Sequence, residues 1–307
     1  MGYGGNLKGR WGVKGKNAIK MGPELTFGAT IREHIEGPAL IIKAAWGGKS
    51  LRADFLSPSG AELLKQQDSG PYYEAMCKHV ESVLADPGKY SPDYGETAGY
   101  EIAGFVWFQG WNDQAATKEE IYASTTPPFK VYGELLACFI RDVRKEFDAP
   151  KMPFVIGVIG TGGDPGAEHP FREAMAAPAA MPEFKGNVVA VHTAKYSDDK
   201  LAELIDRGWR WQRPAWDPEK KYVELAKKLM PIQEEINANK EIKDQKERGR
   251  RYWALRKQID EATYTPEELE YLETNKSNAG FHYFGSAKIL GRIGEAFAKA
   301  LIQDIGR

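Results

Sequence analysis

Cysteine is scarce in this chain. The two that exist, Cys77 and Cys138, lie far apart in helix-like stretches. They cannot build a disulfide framework or a thiolate metal cluster, and both are expected as free, buried thiols. A surplus of charge is lacking too: 42 basic against 43 acidic residues give a net charge of -1. That excludes a bulk electrostatic role on nucleic acid or on an anionic membrane surface. No apolar run reaches the ~18 residues of a membrane-crossing helix. The start, Met1-Gly2-Tyr3-Gly4-Gly5-Asn6, has no apolar export signal. Internal repeats are absent, and no residue cluster calls for a metal or other cofactor.

What is present suits a globular domain. The chain has 307 residues, 42% of them hydrophobic and 28% charged, enough for a single α/β domain spanning 1–307. Residues 1–22, rich in Gly, Lys and Asn, read as loop. A helix is expected from Gly22-Pro23-Glu24 to about Glu36, with Pro in its first turn. Ala39–Ala45, Ile102–Phe108, Met152–Ile159 and Asn187–His192 are short apolar runs suited to buried parallel strands. Helices are expected over Pro71–Leu84, Val131–Phe147, Phe171–Met181 and Ser286–Ile305, while 52–70 reads as irregular. Strands alternating with helices at this spacing imply a parallel sheet covered by helices on both faces. Residues 217–262 are dense in Lys, Glu and Arg. Leu225, Leu229, Ile232 and Ile236, then Tyr252, Leu255 and Ile259, recur there at helical spacing. This predicts a helical hairpin inserted at about 216–275. Thr265-Pro266-Glu267-Glu268 carries an N-cap signal followed by Pro.

Three places carry candidate chemistry. Trp46-Gly47-Gly48-Lys49-Ser50 follows the first apolar run. Its Gly-Lys-Ser triplet invites a phosphate-loop reading, but that motif needs a glycine where Lys43 stands. A glycine pair at a strand end can instead offer backbone N–H groups to a developing oxyanion. The second place is Gln109-Gly110-Trp111-Asn112-Asp113, where a buried strand empties into a polar turn. The carboxyl edge of a parallel sheet is where ligands bind. There the Asn112 amide is a candidate oxyanion donor. The same residues also make an ordinary turn. The third is His282, in an aromatic loop before the last helix, within reach of that edge as a general base. Of the other four histidines, His34 and His79 sit in amphipathic helices and His169 in a Pro-rich loop, while His192 ends a strand.

Together Gly47-Gly48, Gly110-Trp111-Asn112-Asp113 and a late His282 resemble the SGNH hydrolases. Within them Trp46-Gly47-Gly48-Lys49-Ser50-Leu51, Trp107-Phe108-Gln109-Gly110 and Gly280-Phe281-His282-Tyr283-Phe284-Gly285-Ser286-Ala287 are similar to sialate O-acetylesterase-like carbohydrate esterases. The resemblance implies a flavodoxin-like three-layer α/β/α sandwich with a central parallel sheet. It implies hydrolysis of O-acetyl esters on sugars through an acyl-serine, with no metal or other cofactor. Gly47 or Gly48 and Asn112 would form the oxyanion hole, and His282 would be the base. Trp46, Lys49, Gln109, Trp111 and Asp113 would contact an acetylated carbohydrate or other small ester. Relatives of this type are usually exported.

The chain departs from the family at two points. The family's Gly-Gln-Ser-Asn-Met-like block after its first strand has no counterpart, so the first strand and its serine are expected to lie upstream of Met1. The alternatives are a nucleophile re-sited to Ser50, or a glycan-binding protein without turnover. The aspartate often found three residues before the family's histidine is Ala279 here. Asn278 and Glu270 are the polar residues nearby.

Overall fold

The computed structural model describes residues 5–6, 20–91, 94–95, 99–116, 129–161, 169–213, 215 and 220–305. Most of the loop expected over 1–22, and Trp216 at the front of the expected insertion, lie outside these. In chain order the strands are β1 (Gly5–Asn6), β2 (Lys20–Met21), β3 (Phe105–Trp107), β4 (Phe154–Val158) and β5 (Val188–His192). The helices are α1 (Glu24–Arg32), α2 (Pro58–Leu63), α3 (Pro71–Leu84), α4 (Trp111–Ala115), α5 (Lys130–Glu146) and α6 (Pro170–Ala176). They continue with α7 (Asp199–Arg210), α8 (Val223–Ala238), α9 (Gln245–Thr263), α10 (Pro266–Asn275) and α11 (Ala287–Ile305). The described chain is mostly helical around a small parallel sheet of order β3-β4-β5, an α/β fold. β1 and β2 form a separate two-residue antiparallel pair.

β4 shows why the sheet sits in the core. All five of its residues are buried. Phe154, Ile156 and Val158 join one apolar cluster with Phe139 and Leu136 of α5, while Val155 joins another with Ile293 and Phe297 of α11. Alternate side chains thus leave by opposite faces, and each face is covered by helices. Phe105 stacks on Phe154 at 5.0 Å across the β3–β4 ladder. α5 buries Val131, Tyr132, Leu135, Leu136, Phe139, Ile140 and Val143, the stripe its periodicity requires. Its Arg144 is buried too. The guanidinium donates to Met152 O at 2.8 Å, and to Asn187 O and Oδ1 at 3.1 and 2.9 Å. One side chain therefore fixes the entry points of β4 and β5. Both cysteines are buried and free.

One expected strand is not there. Ala39–Ala45 has no regular secondary structure and pairs with no strand among the described residues. Ile41 reaches α1, where a Cβ on Gly28 would lie 2.9 Å from its Cδ1, and Ala44 packs on the first cluster. Leu40 and Ile41 remain 41% and 42% exposed. An apolar run becomes a strand only when a neighbour takes its N–H and C=O groups, and among the described residues β3 pairs with β4 alone. Ile102–Phe108 shortens to three strand residues for the same reason. Within 52–70, Ser57-Pro58 starts the short helix α2.

α8 and α9 pack together through Leu229, Ile236, Leu255 and Ile259, with Trp211 and Tyr222 closing the cluster. Tyr252, expected on that seam, is 38% exposed and lies edge-on to Trp253 instead. α10 opens with a full capping box: Thr265 Oγ1 accepts from Glu268 N, and Glu268 Oε2 accepts from Thr265 N. α7 begins at Asp198, whose Oδ1 caps Leu201 N at 3.0 Å. Its Oδ2 receives Tyr271 Oη at 2.6 Å and Lys288 Nζ at 2.7 Å, so one carboxylate ties α7, α10 and α11 together.

Candidate functional site

The site is built where β3 ends. Trp107 Nε1 donates to Tyr132 Oη at 3.4 Å, and that hydroxyl donates to Gln109 Oε1 at 3.0 Å. The amide of Gln109 then donates to Lys49 O at 2.9 Å and to Asp113 Oδ2 at 2.7 Å. Asp113 is fully buried. It also accepts from Leu51 N at 2.9 Å and Arg52 N at 3.4 Å. A chain of hydrogen bonds therefore runs from the β3 edge into the loop 47–54 and holds it against α4. Sequence reasoning expected Gln109 and Asp113 to contact a sugar. In the structure Gln109 has partners at both ends of its amide and Asp113 is buried, and through these bonds both hold the loop.

The loop so held carries the glycine pair. Gly48 has φ +74, a conformation other residues adopt at a cost. A Cβ placed there would lie 3.9 Å from Asn112 Nδ2. Gly48, Ser50, Arg52, Asp54, Asn112 and Ala115 line a cleft of about 370 Å³, at the small end of the range for ligand sites. Ser50 is buried in its wall. Its N–H and hydroxyl both donate to Asp54 Oδ2, at 2.8 and 3.0 Å. Burial pushes the Asp54 carboxyl up, but the Ser50 N–H, Lys49 and the Ser50 hydroxyl outweigh it and hold it below the usual range. Lys49 Nζ is 3.2 Å from Asp54 Oδ1 and 4.1 Å above the Tyr72 ring, and these two partners hold its ammonium above its ordinary value. Trp46 meets Tyr72 edge-on at 5.3 Å. Arg52 and Asp54 were not singled out from the sequence. The Ser50–Asp54 spacing, a side-chain-capped turn, was the available signal.

His282 stands in the 3-10 segment Gly280–Gly285. Phe281 links it to the β3 edge: this ring stacks on Trp111 of α4 at 5.5 Å and lies 4.3 Å from the imidazole. Trp111 and Phe281 are 41% and 42% exposed, so an aromatic shelf joins α4 to the histidine. Partial burial pushes the imidazole below its ordinary value, which keeps it neutral near pH 7. Its Nδ1 bonds to Asn278 Oδ1 at 3.1 Å. Tyr283, Phe284 and Gly285 follow with φ +52, +57 and +60. Two successive non-glycine residues in that region cost on the order of 1–3 kcal/mol each. The Tyr283 hydroxyl holds the turn, bonding to Gly160 N and Thr193 Oγ1 at 2.7 Å each. Among the described residues, no group of three His, Cys, Asp or Glu is placed to hold a metal ion.

The sequence model of one family, carbohydrate esterase, sialic acid-specific acetylesterase, matches residues 8–202, well over half of the chain. The chain belongs to this family. No curated protein and no solved structure matches it. The matched stretch contains Gly47, Gly48, Ser50 and Asn112 and ends before His282. Membership implies acetylated sugars as substrates. Among the described residues no helix is long and apolar enough to cross a membrane. A larger cavity, about 510 Å³, lies by α8 and α9 and contains none of the predicted site residues. Family membership and the polar lining both favour the cleft at the β3 edge.

Proposed function

We propose that this chain is an acetylesterase acting on O-acetylated sugars, with the cleft beside Gly48 and Asn112 as its ester site. The observation that carries this is the approach of the Asn112 amide to the positive-φ glycine Gly48 in one cleft. Such a pair of donors suits the oxyanion of a tetrahedral intermediate. In this reading the nucleophile's oxygen attacks the acetyl carbonyl carbon. The carbonyl oxygen takes the negative charge and is held by Asn112 Nδ2 and a backbone N–H of Gly47 or Gly48. His282 accepts the nucleophile's proton and returns it to the departing sugar oxygen; water then releases acetate by the reverse sequence. Trp46, Trp111 and Lys49 would face the sugar. The same reading makes the fold an SGNH-type three-layer sandwich over 1–307, with α8 and α9 in an insertion at about 216–275. Ser50 is the hydroxyl of the cleft wall and the residue proposed to attack, its O–H turning from Asp54 to His282 for that step.

A second reading has support of its own. Ser50 already gives its hydroxyl to Asp54, while Trp46, Trp111 and Phe281 present exposed rings. Both suit a sugar-binding cleft without turnover. Acetate release from O-acetylated sugars by wild type and Ser50→Ala separates the two. Turnover lost in Ser50→Ala supports the esterase with Ser50 as nucleophile, and turnover kept moves the nucleophile elsewhere. Saturable binding without release from wild type supports the second reading.

A further inference from the structure

We propose that Asn278 is the positioning residue of His282, holding the imidazole as its Nδ1–H tautomer so that Nε2 is the proton-accepting nitrogen. This rests on the reading of His282 as the base. The aspartate position of the family is Ala279 here, so the sequence supplies no carboxylate there. The structure supplies an amide from one residue earlier. Asn278 Oδ1 is 3.1 Å from His282 Nδ1 and 2.7 Å from Ala279 N. The second bond fixes the amide's orientation, because a backbone N–H only donates and must meet the oxygen, not the NH₂. With the oxygen so fixed, Nδ1 must be the donor. The lone pair is then on Nε2.

The frame around this contact is stiff. Ser277 N and Asn278 N both donate to Phe284 O, at 2.8 and 2.7 Å, while His282 N and Phe284 N both donate to Ala279 O, at 3.0 and 3.1 Å. Gly285 backs the turn. A Cβ there would lie 2.4 Å from Ser277 Oγ and 2.9 Å from Asn278 Cβ. The three positive φ values thus bring Phe284 O back onto Ser277 N and Asn278 N, while the single turn closed by His282 N on Ala279 O sets the Asn278 and His282 side chains against each other. An amide orients the ring as a carboxylate would, but it is neutral and gives an imidazolium less support. The burial that lowers the imidazole's pKa acts in the same direction.

Ring-nitrogen NMR of His282 in the full chain tests this without any need for turnover. Wild type is expected to show Nδ1 protonated and Nε2 unprotonated above its titration midpoint. Asn278→Ala is expected to lose that preference. Asn278→Asp, which keeps the acceptor for both Ala279 N and Nδ1, should retain the tautomer and raise the midpoint. An Nε2–H tautomer in wild type, or an Asn278→Ala spectrum equal to wild type, overturns the proposal. So does a folded Asn278→Asp that behaves as Asn278→Ala does. On ester substrate, Asn278→Ala should lower kcat by about 10- to 10⁴-fold with KM little changed, the upper figure being the cost of a wrong tautomer in a serine hydrolase. If the tautomer results hold but no variant, wild type included, turns over ester, Asn278 positions His282 and the esterase reading fails.

Discussion

Replacing Asp113 with alanine should cost the chain stability and the cleft together. Asp113 is 0% exposed, and its carboxylate accepts from Gln109 Nε2 at 2.7 Å, Leu51 N at 2.9 Å and Arg52 N at 3.4 Å. The first two are strong, charge-assisted bonds; the third is long. Each buried donor left without a partner costs about 1–3 kcal/mol. Two strong donors and one weak one then cost about 3–5 kcal/mol, a large share of the ~5–15 kcal/mol that holds a domain folded. Asp113→Asn keeps one acceptor oxygen but turns an NH₂ toward a donor, so about 1–3 kcal/mol is expected. Urea titration followed by tryptophan fluorescence measures both. With a slope of about 2–3 kcal/mol per molar, the alanine variant's midpoint should fall by about 1–2.5 M. The loop 47–54 would lose its anchor, so ligand binding at the cleft should weaken more than remote sites suffer. A loss below about 1 kcal/mol in Asp113→Ala would refute the reasoning, because the loop would then be held by something else.

Other variants probe separate parts of the account. Thr265→Ala removes one half of the capping box on α10 and should cost about 0.5–2 kcal/mol in thermal unfolding; no change would mean that the Glu268–Arg207 ion pair, at 2.9 Å, holds that helix end alone. Tyr283→Phe strips the hydroxyl from Gly160 N and Thr193 and should cost about 1–3 kcal/mol, with reduced protection of the Gly160 amide in hydrogen exchange as the local readout. The pH profile follows from the sign of the His282 shift. A base must be neutral to accept a proton, and burial lowers this imidazole below 6.5. Ester hydrolysis should therefore rise with pH to a plateau already reached at neutral pH, with a midpoint below 6.5; a midpoint above that value would contradict the assignment.

Much of the fold was legible in the sequence where the signal is local. α3 starts at Pro71 and ends at Leu84 as its apolar face and Pro-led first turn indicate. The cap at Thr265 needed no distant partner to be read. Ala39–Ala45 failed for the opposite reason. A strand is a property of two segments, and its composition could not tell that no ladder partner stands beside it. α7 carries a local signal of the same kind as Thr265, the Asp198 cap and an apolar face at Leu201 and Leu204, yet the sequence-based expectations do not include it. The site was legible as residue types and much less so as roles. Gln109 and Asp113 looked like groups offered to a ligand, but their partners lie on the loop 47–54, some 60 positions away in sequence. Asn278 stood one place from the expected acid. Its bearing on His282 depends on the turn that His282 N closes on Ala279 O and on Phe284 O returning to Asn278 N, contacts that residue types alone do not mark.

The most direct test of the ester site is the rate of acetate release from an O-acetylated sugar by wild type and Asn112→Ala, at saturating substrate. The expected result is turnover by wild type and a kcat lower by about 10²–10³-fold in Asn112→Ala, with little change in KM. Equal kcat in the two proteins would contradict the assignment of Asn112 and Gly48 as the oxyanion-holding corner.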